Sequence, residues 1–206
     1  MKKYCTFYIV RHGVTEWNKL KKIQGQTDVP LTKEGEEQAK KAAIEYFNNI
    51  HFSSVFSSDL IRAKRTAEII ALEKGLAVSA SKLLRERSFG SFEGKVEPDI
   101  EKEMRISIAE LKALTDKERE KMNIETDKNL WLRFVNFIRE VASVYLNKNV
   151  LIVTHGSLMS VVLQKLAYIT KDQINRLHIG NLAYIILLSD GVEFEIRETF
   201  GIFLDN

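Results

Sequence analysis

A single cysteine, Cys5, rules out any intrachain disulfide, so the fold has to rest on a hydrophobic core. Cys5 lies inside an apolar run and reads as a small buried residue; a reducing compartment is permitted, and the cytoplasm is the expected location. Long apolar runs are missing as well, since none approaches the roughly 18 to 20 residues that span a bilayer. The Lys2-Lys3 pair ahead of residues 4–10 resembles the start of an export signal, but Arg11 and His12 interrupt the run and no small-residue cleavage site follows. Neither export nor membrane association is expected. Proline is scarce, at two residues, and no Pro-rich linker, internal repeat or low-complexity tract divides the 206 residues, so one domain spanning 1–206 is expected. An excess of one charge is absent too: 31 Lys and Arg face 28 Asp and Glu, interleaved along the chain. That distribution lacks the concentrated cationic patch of a nucleic-acid binder and fits a small anionic partner better. A homodimer stays open.

Apolar runs alternate with segments of helical periodicity. Residues 4–10 form a first strand, and residues 32–48 read as a helix that Thr32 can cap, with Ala39, Ala42, Ala43, Tyr46 and Phe47 on one face. A short strand at 54–56 precedes a second helix, capped by Ser58 or Asp59 and running to about Lys74, with Gly75 as its stop. Residues 78–84 supply another strand. Further on come a helix at 129–146, with Leu130, Phe134, Phe137, Ile138 and Val141 at helical spacing, a strand at 150–153, and a helix from Gly156 through Leu166. Residues 182–189 and 192–199 make a hairpin about Asp190-Gly191. The order predicts an α/β fold, a three-layer α/β/α sandwich around a largely parallel sheet. Residues 95–128 stand apart, dense in Glu, Lys and Arg, with Ile106, Ile108, Leu111 and Leu114 making one helix face; they read as an inserted helical cap.

Two strand ends carry histidines: Arg11-His12-Gly13 after the first strand and Thr154-His155-Gly156 after the 150–153 run. Open α/β sheets bind ligands at the carboxyl ends of their strands, and Arg-His-Gly sets a fixed cation, an imidazole and a turn-permitting glycine there. That arrangement suits phosphate. A lone histidine is more often structural, but beside Arg11 a neutral imidazole can attack phosphorus through one ring nitrogen while a backbone acceptor holds the other. Gly156 either lets the next helix offer free amides to an anion or makes a tight turn. Arg62 can turn back to the sheet edge, where a guanidinium grips phosphate bidentately, or lie on the surface. Glu86 is a candidate general acid, or else a solvated ion pair between Arg85 and Arg87. As metal ligands the two histidines lack company apart from Glu16, so neither metal nor cofactor is expected. His51 and His178 read as structural, Trp17 and Trp131 as packing residues.

These residues resemble the histidine phosphatase superfamily, whose branches include cofactor-dependent phosphoglycerate mutases and many small-molecule phosphatases. The likeness runs from residues 11–18 through residues 24–32, then Gly35 and Gln38, then residues 58–60 with Arg62, Ala63, Thr66 and Ala67. It continues in Glu86 with Phe89-Gly90 and Glu93-Gly94, and ends in residues 154–156. The resemblance implies that His12 is the phosphorylated nucleophile, that Arg11, Arg62 and His155 hold the transferring group, and that Glu86 exchanges the proton. It places Thr15, Asn18, Gln24 and Gly25 in the same pocket. Arginines plus a cationic histidine can stabilise phosphoryl charge without a metal, and a cationic environment keeps the nucleophile neutral.

In the mutase branch the acid residue is typically followed by a histidine and tyrosine, and the insertion carries an adjacent arginine pair. Here Glu86 is followed by Arg87-Ser88-Phe89-Gly90, and Arg105 and Arg119 stand alone. The expected function is a metal-independent phosphatase acting on a small phosphorylated metabolite, with phosphoglycerate mutase as the alternative. Lys95, Lys102, Arg105 and Lys112 are a caution, because a folded cap can pair cations that are not adjacent in sequence. A non-catalytic phosphate-binding module is the third reading, disfavoured by His12 and Glu86, which binding alone does not require.

Overall fold

A computed structural model describes residues 3–205. Lys2, half of the signal-like pair, lies outside them. A six-stranded sheet in the order β3-β2-β4-β1-β5-β6 forms the centre. Its strands are β1 (Cys5–Arg11), β2 (Phe52–Ser58), β3 (Val78–Ser81), β4 (Asn149–Thr154), β5 (Leu177–Ser189) and β6 (Phe194–Leu204). The four from β3 to β1 run parallel, and β5 and β6 are antiparallel additions. β1 and β4 are apolar on both faces because both faces are covered. Cys5, Phe7 and Ile9 point into one cluster, which includes α7 (Asp127–Val144) and α8 (Gly156–Lys165). Val10, Leu151 and Val153 point into another, built with α2 (Lys33–Glu45) and α3 (Ile61–Leu72), where alanines 42, 63 and 67 let the helices approach closely. The expected α/β layering follows from this alternation.

Several boundaries differ, each for a local reason. Thr32 does cap α2, its hydroxyl accepting from the Gly35 amide at 3.0 Å, but the helix stops at Glu45. The start of α3 is capped by neither Ser58 nor Asp59. Ser58 accepts from the Leu60 amide, Asp59 is held by Arg85, and the first helical N–H, of Ile61, finds the Asp28 carboxylate at 2.7 Å. The strand expected at 78–84 ends at Ser81, whose hydroxyl turns the chain into a 3-10 turn at Lys82–Leu84. The hairpin is longer than expected and closes through residues 190–193, where Asp190 accepts from the amides of Val192 and Glu193.

Within 95–128 the charged sequence folds as three short helices, α4 (Glu97–Met104), α5 (Ile108–Ala113) and α6 (Asp116–Lys121), in place of one helix face; a four-residue α1 (Glu16–Lys19) lies far upstream. Ile100, Ile106, Leu111 and Ile124 close a small core of their own on Phe92. Residues 127 and 128 already belong to α7. Asp127 ties the segment down, pairing with Arg87 at 2.5 Å and lying 3.5 Å from Arg119.

Candidate active site

The register of β1 on β4 sets Arg11 beside Thr154, so His12 and His155 leave the sheet as neighbours, ring centroids 5.2 Å apart. A cavity of about 350 Å³ opens over this edge. Arg11, His12, Arg62, Glu86 and Gly156 line one part of it, and α5 and the start of β5 supply apolar walls such as Ile108, Leu111 and Leu177.

His12 is almost wholly buried, and its Nδ1 lies 2.7 Å from the Gly13 carbonyl oxygen. Because a carbonyl only accepts, Nδ1 carries the hydrogen in the neutral ring, and Nε2 keeps the free lone pair. Burial, then Arg62 and Arg11, hold the His12 pKa well below the ordinary histidine range, outweighing the Gly13 carbonyl. Gly13 is not needed for a turn, since its φ is not left-handed. It is needed for room: a Cβ there would sit 2.5 Å from the Gly35 carbonyl oxygen.

His155 is fully buried, and neither ring nitrogen has a hydrogen-bond partner among the described residues. Burial and the charges of Arg62, Arg133 and Arg11 hold its pKa well below the usual range, with His12 adding to the effect. The protein alone therefore keeps His155 neutral, where the sequence argument makes it a cation. The ring itself does not line the cavity.

Arg62 is completely buried, not a surface residue. Its Nη1 and Nη2 donate to the carbonyls of Thr27 and Gly25 at 2.8 and 2.7 Å, fixing the plane of the guanidinium. Burial brings its pKa down to about 10, against the pull of Glu86 and Asp28, so it stays a cation at neutral pH. Arg11 donates through Nη1 to the Ile179 carbonyl. The Nε atoms of both arginines are buried without an acceptor among the described residues. Those donors suit an oxyanion.

Glu86 is buried and is not the ion pair its neighbours suggested. Arg85 makes a bidentate bond to Asp59, at 2.7 Å on both arms, and Arg87 binds Asp127 and the Glu125 carbonyl. The Glu86 carboxylate accepts instead from the Arg87 amide at 2.8 Å and from the Ser157 amide, at the start of α8, at 3.1 Å. Of the α8 amides that one reading of Gly156 offers to an anion, that of Ser157 is thus taken by Glu86.

Asn18, Gln24 and Gly25 line the cavity as well. Thr15 does not: it is fully buried and caps α1, exchanging hydrogen bonds with Asn18. Gly25, at φ +53°, packs its backbone on Glu93, where a Cβ would fall 2.1 Å from the carboxylate. Glu93 in turn accepts from the Gln26 and Phe89 amides and the Thr27 hydroxyl, so it joins the loop that holds Arg62 to the segment after Glu86. Sequence reasoning missed Ser157, Lys22 and Phe89 in the lining; a helix-start serine or a loop lysine carries no signal by itself. Of the four cautionary cations, Lys112 lines the cavity, while Lys95 pairs with Glu103. Arg119 also lines it, but its guanidinium is bound to the carbonyls of Leu111 and Lys112, closing the end of α5.

A largely parallel sheet whose carboxyl edge gathers two arginines, two histidines and a buried carboxylate defines an α/β protein built to receive an oxyanion. The chain belongs to the histidine phosphatase superfamily, branch 1, whose family model it matches over residues 7–200, and is an enzyme of that superfamily. It is 35% identical over 159 residues to a protein of Bacillus subtilis (strain 168) named uncharacterized phosphatase PhoE, a match covering 77% of this chain and 76% of that one. Over 86 residues it is 46% identical to the probable phosphoglycerate mutase GpmB of Salmonella choleraesuis, covering 42% of this chain and 40% of the other. The solved structure of Bacillus stearothermophilus YhfR shares the fold, with a TM-score of 0.82 at 24% identity over 93% of this chain and 95% of that one.

Proposed function

We propose that the protein is a metal-independent phosphomonoesterase acting on a small phosphorylated metabolite through a phosphohistidine at His12. One observation carries this reading: a neutral His12, its Nδ1 engaged by the Gly13 carbonyl, lies beside Arg11, Arg62 and Glu86 in one cavity. His12 Nε2 attacks phosphorus, the ester P–O bond breaks, and Glu86 in its acid form gives its proton to the leaving oxygen. Water then attacks the phosphohistidine, and the Glu86 carboxylate takes the water's proton, restoring both groups. Arg11 and Arg62 stabilise the charge on the equatorial oxygens. A bound phosphate dianion offsets the surrounding cations, which raises the pKa of the neighbouring His155 ring toward its ordinary value. Cytoplasmic location belongs to the same reading, with which the single free thiol, Cys5, is compatible. Among the described residues no helix is long and apolar enough to cross a membrane.

Hydrolysis is favoured over mutase chemistry because, among the described residues, Lys112 and Arg119 are the cap cations that line the cavity, and the Arg119 guanidinium is held by the carbonyls of Leu111 and Lys112. Quenching the enzyme during turnover should trap acid-labile, base-stable phosphate on His12. A His12→Ala enzyme with near wild-type turnover, or label on a serine, rejects the mechanism. In a reaction primed with bisphosphoglycerate, phosphate release should outrun conversion of 3- to 2-phosphoglycerate; isomerisation faster by orders of magnitude makes the protein a mutase.

A further inference from the structure

The ladder between β1 and β5 runs from Cys5 opposite Ser189 to Val10 opposite Tyr184 and stops there, one residue before Arg11. At that point β5 bulges. Between the pairs Ile179–Ile202 and Tyr184–Phe200, β5 has four residues, 180–183, where β6 has only Gly201. Leu182 sits in the bulge at φ +59°, a left-handed conformation that a bulky residue rarely holds, and its side chain is buried in the core beside α2 and α3. A bulge held in such a conformation re-aims side chains, and bulges concentrate next to active sites.

This one delivers two groups to the end of β1. The Ile179 carbonyl accepts from Arg11, and the Asn181 Nδ2 donates to the His12 carbonyl at 2.8 Å, filling a place that the interrupted ladder leaves open. From the β4 side, the His12 amide donates to the Thr154 carbonyl at 3.0 Å. The next amide, of Gly13, donates to the Thr66 hydroxyl at 3.0 Å, and the ring is held at Nδ1 by the Gly13 carbonyl. With Asn181 in place, every polar group of His12 except Nε2 has a protein partner.

We infer that Asn181 is a positioning residue for the nucleophile: its amide fixes the main chain of His12, and so the line along which Nε2 approaches phosphorus, without touching substrate. The inference rests on the reading of His12 as nucleophile. Displacing a reacting atom by about 1 Å costs on the order of 10²-fold in rate, whereas phosphate affinity depends on Arg11 and Arg62, whose partners are backbone carbonyls that a change of side chain at 181 leaves in place.

The test compares the wild type with Asn181→Ala and the near-isosteric Asn181→Asp in single-turnover phosphorylation of the enzyme. Competitive inhibition by inorganic phosphate and the thermal unfolding transition are measured alongside. Phosphorylation should slow roughly 10- to 100-fold in the alanine variant, with the inhibition constant for phosphate within about threefold of wild type. In the aspartate variant the donor becomes an acceptor facing a carbonyl, so the rate should fall further. Its negative charge also raises the pKa of His12, moving the acid limb of the kcat/KM profile to higher pH, a shift the alanine variant should not show. Wild-type phosphorylation rates in both variants overturn the inference, as does a loss that phosphate inhibition shares in proportion. Loss of the cooperative unfolding transition at the assay temperature in both makes Asn181 a structural brace, and the inference fails. A wild-type enzyme that forms no phosphohistidine instead removes the reading on which it rests.

Discussion

Lowering the pH from 7.5 to 5.5 should destabilise the folded protein through His12 and His155. Both are buried and held neutral, chiefly by desolvation and then by Arg62, so their folded pKa values lie well below the ordinary histidine value of 6.5. The unfolded chain binds a proton at each below that value and the folded chain does not. Stability is therefore full above the unfolded pKa and is lost as the pH falls toward the folded pKa. At pH 5.5, one unit below the unfolded value, each histidine costs at most about 1.4 kcal/mol, and the pair at most roughly 3 kcal/mol, against a typical total of about 5 to 15 kcal/mol. Carboxylates held below their usual range, such as Asp59 beside Arg85, act mainly at more acid pH, so this window isolates the histidines. Urea unfolding followed by tryptophan fluorescence in phosphate-free buffers measures the effect, with the His12→Gln/His155→Gln double variant as control. The double variant should lose most of the slope. A wild-type midpoint that does not move between pH 7.5 and 5.5, or a double variant that falls as steeply, refutes the electrostatic account of the site.

Glu86→Gln should slow hydrolysis by about 10² to 10⁴ on alkyl phosphates and much less on nitrophenyl phosphate, whose leaving group hardly needs a proton; equal losses would assign Glu86 a positional role. Among the described residues no group of three His, Cys, Asp or Glu is placed to hold a metal, so activity should survive dialysis against a strong chelator. Loss that a divalent ion restores would reject that reading. Gly25→Ala should weaken phosphate binding and lower stability by roughly 1 to 3 kcal/mol, because the new Cβ collides with the Glu93 carboxylate at a left-handed φ and the Gly25 carbonyl that orients Arg62 must shift. An unchanged inhibition constant for phosphate would show that Arg62 does not depend on that carbonyl.

What the sequence made legible was whatever a local pattern dictates. Apolar runs marked β1 and β4 because central parallel strands are covered on both faces, and the Arg-His-Gly and Thr-His-Gly ends followed from strand polarity. Helical periodicity located α7 to within two residues at each end. What stayed hidden depends on partners far apart in the chain. Asp28 caps α3 from across a loop, Glu86 trades its flanking arginines for the Ser157 amide, and the neutrality of His155 comes from burial that no spacing reveals. Asn181 belongs here too, because its role comes from a bulge that sets its side chain against His12 at the end of β1, 169 residues away in sequence. Thr15 errs the other way: part of the family's signature stretch, it serves its own helix and not the pocket.

The start of α3 has a consequence for how the molecule is made. With no cap within its own segment, this helix takes its first hydrogen bond from Asp28, and the Arg62 guanidinium is held by carbonyls of the same upstream loop. That loop packs against a sheet whose neighbouring strands β1 and β4 are separated by most of the chain, so the helix start and the anion site both depend on contacts between distant segments. A partly folded chain holding the sheet but not the loop has no site for phosphate. Phosphate added during refolding would then leave the early phases unchanged and drive only the last one, which makes the ligand a probe for the completed molecule.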